Sequence, residues 1–223
     1  MCGRFTLYFD PARLRKELGC ELPADYEPSY NIAPGRSILA LRSEHIQSSA
    51  TPVASLLHWG LRTPHNFLIN ARSETADTLP RFRESWAARR CLAPANGYYE
   101  WTQQDGKKQP FHIHAPDHSL LFFGALWFPS DKEGGPDACV ILTTAADATI
   151  ANIHHRMPVL LPPEAHDAWL QGSLSKNSLD RYHRKARLHM HPVSRRVNRT
   201  QNDDPQLMKP APPDEDEQMR LFE

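Results

Sequence analysis

The sequence predicts an α+β fold, a single domain around one curved, barrel-like mixed or antiparallel β-sheet with peripheral helices. Three observations point there: short apolar runs bounded by turn residues recur along the chain, the helical stretches are few and set apart from them, and there is no internal repeat.

Taken in order, DPARLRKELG reads as a capped amphipathic helix, with Asp10 as N-cap, Pro11 at the first position and Gly19 as the stop. ELPADYEPSYNIAPGRS, rich in Pro, Tyr and Asn, is expected to be a loop. SILALRSE and VASLLHWGL have the short apolar form of strands, and SETADTLPRFRESWAARR predicts a helix around Phe82 to Arg90. CLAPANGYYEWTQQDGKKQPFHIHA reads as a β-hairpin turning at Gln-Asp-Gly. LLFFGALWF and ACVILTTAA are expected to be central strands, with SDKEGGPD as the loop between them. PPEAHDAWLQG predicts a helix with proline at its start, and LHMHPVS a late strand.

At 223 residues and 40% hydrophobic composition the chain is long enough to bury a sizeable core. It has no stretch of signal-peptide kind and no apolar run near the roughly 18 residues that cross a membrane. The expectation is therefore a cytoplasmic protein with no membrane partner. Cys2, Cys20, Cys91 and Cys139 are scattered without a C-x-x-C pair, so free thiols are expected rather than a zinc knuckle or disulfide framework. His112/His114 and His189/His191 form H-x-H pairs, but on a strand such residues share a face without a metal; no metal and no cofactor are expected.

The net charge of zero conceals a segregation. From Asn202 onward seven acidic residues face two basic ones, which leaves this stretch at −5 and residues 1–201 at +5. A modestly basic body is compatible with phosphate binding. The body is expected to span 1–201, followed by a disordered acidic tail over 202–223 whose composition buries too little apolar surface to offset chain entropy.

Four short clusters mix buried-type and reactive residues: CGRF, LINARSET, NGYYEW and IHHRMP. Taken singly each has a bland reading. Cys2 is a small residue at an end, Glu100 a solvated hairpin carboxylate, Asn70 and Arg72 a pair fixing a sheet edge, and one of His154 and His155 a loop residue.

Together with YNIAPG, W-G-L and TTAA, and in this order from Cys2 to Val197, they resemble the SOS-response-associated peptidase (SRAP) family, which senses and cross-links abasic sites in single-stranded DNA. The resemblance implies that Met1 is removed and that Cys2 becomes a 1,2-aminothiol. Such a group traps the open-chain aldehyde of an abasic site as a Schiff base, then closes a thiazolidine ring. It implies Glu100 as an acid/base, His154 as a proton-handling group and Asn70 as an orienting amide. Arg4, Arg72 and Arg156 are implied as phosphate contacts. Trp101 and Phe67 are implied to stack on bases. The stretch after W-G reads LRTPHNF, short of the aromatics often found there, so the residue that wedges against duplex DNA is open. A monomer is expected. The family name describes removal of an N-terminal residue, and a lyase reaction is possible.

The chain closes on QMRLFE, in which Gln218, Leu221 and Phe222 fit the Q-x-x-L-F pattern of bacterial sliding-clamp peptides. Two rival readings use the same residues. One is an N-terminal-nucleophile amidohydrolase, which has no need of NGYYEW or IHHRMP. The other is a non-catalytic, clamp-tethered single-strand binding module, in which Cys2→Ser leaves function intact.

Overall fold

The computed structural model describes residues 2–43, 52–104, 106–183 and 187–211. Its strands are β1 (Phe5–Leu7), β2 (Ser29–Ile32), β3 (Ser37–Arg42), β4 (Val53–Trp59), β5 (Leu61–Arg62), β6 (Phe67–Leu68), β7 (Asn70–Arg72), β8 (Arg90–Ala95), β9 (Gly97–Gln104), β10 (Lys107–His114), β11 (Leu121–Phe128), β12 (Ala138–Ala145), β13 (Arg156–Pro158) and β14 (His189–Pro192). The α-helices are α1 (Pro11–Leu18), α2 (Pro80–Ala88), α3 (His166–Leu170) and α4 (Lys176–His183). None of the described helices is long and apolar enough to cross a membrane.

The expected α+β class holds, but the strands divide between two principal sheets rather than one. In the first, β11, β8, β3, β4 and β12 pair in sequence, and a further β11–β12 pairing closes them into a ring. Strand β12 is its seam: it runs parallel to β4 and β7 along one edge and antiparallel to β11 and β13 along the other. The second sheet has the order β14-β10-β9-β1-β2. Aromatic side chains join the two. Phe5 and Tyr98 are register partners on β1 and β9, so they share a face. Phe5 packs edge-on at 5.2 Å from Trp59 and 5.7 Å from Phe123, and Tyr98 lies 6.0 Å from Phe123. Each such fully buried ring contributes about 1.5–3 kcal/mol over exposure, which makes this junction the centre of the core.

Helix α1 forms as its sequence predicts. The Asp10 carboxylate accepts from the Ala12 and Arg13 N–H groups, and Gly19 ends the helix at φ 65°. Elsewhere, long-range contacts override local signals. Residues 91–95, read as part of one arm of a hairpin, instead form β8 in the ring together with Arg90; the true hairpin is β9–β10, with Gln104 opposite Lys107. The expected loop before Arg36 contains β2, which pairs with β1. Helix α4 was not foreseen.

The body also continues past residue 201. Asp203 accepts hydrogen bonds from Ser29 Oγ (2.8 Å) and the Tyr30 N–H (2.5 Å), and the Asn31 side-chain amide donates to the Asn202 carbonyl (2.7 Å). Residues Pro205–Met208 form a 3-10 turn that buries Leu207 completely. The acidic residues at 203 and 204 are thus capping and tethering groups rather than the start of a solvated tail. Gln218, Leu221 and Phe222 lie outside the described residues.

Candidate active site

The first described residues lead directly into the sheet. Phe5 and Thr6 pair with Tyr98 and Gly97, and the Tyr99 N–H donates to the Arg4 carbonyl at 2.9 Å, extending the ladder toward residue 2. Cys2 is completely buried. Its carbonyl accepts a 2.9 Å hydrogen bond from Asn70 Nδ2, and Asn70 is fixed in turn by the parallel pairing of β7 with β12. Burial, reinforced by the nearby Glu100 carboxylate, pushes the Cys2 thiol far up and keeps it protonated.

Glu100 sits in the middle of β9, paired with Phe111 on β10, and is 3% exposed. Burial raises its carboxyl above the usual range, against the Trp101 N–H, which stabilises the anion. The carboxyl also lies within electrostatic reach of His155, so the IHHRMP segment closes over the same corner. His154 is half-buried, and its Nδ1 accepts the Arg156 N–H at 2.9 Å. The same Nδ1 lies 3.1 Å from the Arg156 carbonyl, so both backbone groups of Arg156 hold the ring in place. Burial first, with the cationic neighbourhood including Arg156, pushes His154 below its ordinary range, so it is neutral near pH 7.

The structure therefore brings Cys2, Asn70, Glu100 and His154 to one place, and treats the arginines differently. Arg156 closes a fork on Glu74, with Nη2 at 2.8 Å from Oε2, and also donates to the Thr143 carbonyl at 2.7 Å. It ties the IHHRMP segment to INARSET. Arg4 Nη1 donates to Asn31 Oδ1 (2.7 Å) and the Val197 carbonyl (2.8 Å), anchoring the C-terminal segment. Both guanidinium groups, expected at phosphates, are thus committed to protein oxygens. Arg72 is exposed at the rim. Trp101 is half-buried, with Nε1 donating to Asn198 Oδ1 at 2.8 Å.

Phe67 is 39% exposed on the β5–β6 ribbon, with the Arg62 guanidinium 5.5 Å from its ring centroid. The ribbon explains the glycine of W-G-L. Gly60 has φ 131°, and a Cβ there would fall 2.1 Å from the Phe67 ring. Sequence reasoning passed over Asn31 and the Glu74–Arg156 clamp. Partners of Asn31 at 197 and 202 leave no local signal, and Glu74 and Arg156 are 82 residues apart.

The chain is similar along most of its length to known proteins. The chain is 33% identical over 225 residues to the abasic site processing protein YedK of Escherichia coli, covering 95% of this chain and 100% of that one. It is 34% identical over 226 residues to the abasic site processing protein YoqW of Bacillus subtilis, covering 94% and 99%. Among solved structures, a protein of Bacteroides thetaiotaomicron superposes with a TM-score of 0.78 at 20% identity, over 95% of this chain and 100% of that one, a likeness of fold. The profile of the SOS response associated peptidase (SRAP) family matches residues 1–200, and the chain belongs to that family.

Proposed function

We propose that this protein captures abasic sites in single-stranded DNA as a covalent thiazolidine through Cys2, after Met1 is removed. The observation that carries this reading is the buried seat of Cys2, its carbonyl held by Asn70 at 2.9 Å beside the buried Glu100. A residue at a chain terminus is ordinarily frayed. Here Cys2 is completely buried as part of the main hydrophobic core.

The protonation states suggest an order of events. The thiol is held neutral by burial, so the α-amine attacks first. Its lone pair adds to C1 of the open-chain sugar, a proton moves from nitrogen to the former aldehyde oxygen, the Glu100 carboxyl gives that oxygen a second proton, and water leaves to give an iminium beside the Glu100 carboxylate. The thiol then loses its proton to the Glu100 carboxylate as sulfur bonds to C1, and the C=N π pair returns to nitrogen. A carboxyl with a raised pKa suits both proton uptake and release near neutrality. His154, neutral and held by the Arg156 backbone, hydrogen-bonds a sugar oxygen and assists ring opening. Ring closure consumes the iminium that would otherwise undergo β-elimination, so strand cleavage is a side reaction. Arg72 and Phe67 at the rim, with Trp101, supply phosphate and base contacts. A sliding clamp bound through Gln218, Leu221 and Phe222 would hold the protein near replicating DNA.

The test incubates the purified protein with single-stranded DNA carrying one abasic site and resolves the products on a denaturing gel. Wild type is expected to give a heat-stable protein–DNA band. Cys2→Ser, and a variant retaining one extra residue before Cys2, are expected to give none. Absence of the band in wild type, with Met1 removal verified by mass spectrometry, would overturn the reading.

A further inference from the structure

Three tyrosines are buried among the described residues, and only two of their hydroxyls have hydrogen-bond partners. Tyr26 Oη donates to the Phe9 carbonyl at 2.8 Å, and Tyr99 Oη donates to the Tyr30 carbonyl at 2.9 Å. Tyr98 is completely buried, yet its Oη has no partner among the described residues. A buried tyrosine ordinarily satisfies its hydroxyl, because an orphaned one costs free energy that a phenylalanine would not. The ring has an evident packing role against Phe123. The hydroxyl has none.

Its position supplies a reason. Tyr98 and Glu100 alternate with Tyr99 along β9, so they share the face that looks toward the start of the chain. The register partner of Tyr98 is Phe5, three residues from Cys2. The phenol thus lies on the face of β9 that carries Glu100, beside the strand that leads back to Cys2. Burial first, then the charges of Cys2, Glu100 and Asp147, push it well above its ordinary range and keep it a neutral donor. Asp147 itself caps the following turn through the Thr149 and Ile150 N–H groups.

We propose that Tyr98 is a further catalytic residue, donating its O–H to the C1 oxygen of the open-chain sugar while the Cys2 amine adds to C1. This assignment rests on the function proposed above. As the nitrogen lone pair forms the C–N bond, the C=O π pair moves to oxygen. The phenol stabilises that developing charge by hydrogen bonding and keeps its own proton, and oxygen then takes the proton released by nitrogen.

The test is Tyr98→Phe, which keeps the ring and removes only the hydroxyl. Adduct formation on abasic single-stranded DNA is expected to slow about 10²-fold, the scale of losing one oriented donor to a developing oxyanion. The melting temperature is expected to hold or rise, and affinity for DNA carrying a tetrahydrofuran analogue, which has no aldehyde, to stay unchanged. An adduct rate equal to wild type, or a slowing matched by a fall in melting temperature or in analogue affinity, would overturn the assignment while leaving the capture reaction standing. Absence of adduct in the wild-type lane would overturn the proposed function itself.

Discussion

Successive residues of β9 face opposite sides of its sheet, and the two sides treat polar groups differently. The inner face carries Tyr98 and Glu100 beside Cys2, with an unpartnered phenol and a carboxyl raised by burial. The outer face carries Tyr99 and Trp101, together with His112, His114, His189 and His191 from the paired strands β10 and β14. There most polar tips are matched to backbone or to the C-terminal segment. Tyr99 donates to the Tyr30 carbonyl, Trp101 to Asn198, and His191 Nε2 bonds the Met208 carbonyl at 2.8 Å. Tyr99, Val193, Val197 and Leu207 form a small core of their own, with Trp101 packed against it. The difference teaches that polarity and burial do not by themselves distinguish a reactive surface from a structural one. Nor does incomplete matching alone, since His112 Nε2 is also buried without a partner among the described residues. What marks the inner face is that its orphaned hydroxyl shares a face with Glu100 beside Cys2.

If this contrast holds, inner-face changes alter rate without stability and outer-face changes do the reverse. The largest effect is expected for Glu100→Gln. Losing the proton shuttle should slow adduct formation about 10²- to 10⁴-fold, whereas removing a buried carboxyl should leave stability equal or higher. Quenched time courses beside thermal melts separate the two; a fully active variant would collapse the distinction. On the outer face, Leu207→Ala empties part of the small core and should cost about 2–5 kcal/mol in urea unfolding. Adduct formation by the folded fraction should keep the wild-type rate, and a large fall there would show that the faces are coupled.

The histidines add a pH test. Ring centroids of His112 lie 5.2 Å from His114 and 5.6 Å from His191, yet no three acidic, thiol or imidazole groups among the described residues are arranged to hold a metal. Burial first, then the charges of His114, His191 and His118, push His112 down to about 3. Its folded pKa lies below its unfolded one, so between those values the unfolded chain binds the extra proton. Stability is complete above the unfolded pKa of about 6.5 and declines as pH falls toward 3. From pH 7 to pH 5 the loss should be about 2 kcal/mol. In His112→Gln the slope over that interval should flatten, whatever the absolute stability. An unchanged slope would assign the acid sensitivity elsewhere.

These two faces also show what was legible in the sequence. The strand–hairpin pattern and the motif order marked Cys2, Asn70, Glu100 and His154, because reactive residue types stood inside apolar strand-like runs. The outer face was illegible. Its closing residues, Val193 to Leu207, meet β9 and β2 across more than ninety residues of chain, and Asp203 and Asp204 looked like tail acids until their partners Ser29, Tyr30 and Arg196 came into view. The protein contacts of Arg4 and Arg156 were hidden for the same reason. A guanidinium free for phosphate and one spent on Asn31 or Glu74 have identical local sequence.

Trp101 tests the comparison at its finest grain, because it stands on the outer face while being expected to contact DNA. Its Nε1 bond to Asn198 is a structural contact of the outer kind, worth about 1 kcal/mol net. Its ring, half-exposed and 6.0 Å from the Arg4 guanidinium, is the part available for stacking on a base. Trp101→Phe removes the bond and keeps an aromatic face, so it should lose about 1 kcal/mol of stability with little change in affinity for single-stranded DNA. Trp101→Ala removes both, and stacking worth about 1–3 kcal/mol should then disappear from the binding isotherm as well. If phenylalanine binds DNA as weakly as alanine, the indole N–H rather than the ring is what DNA binding needs, acting through Asn198 and the C-terminal segment. The outer face would then belong to the functional surface, and the division drawn along β9 would move to Tyr99.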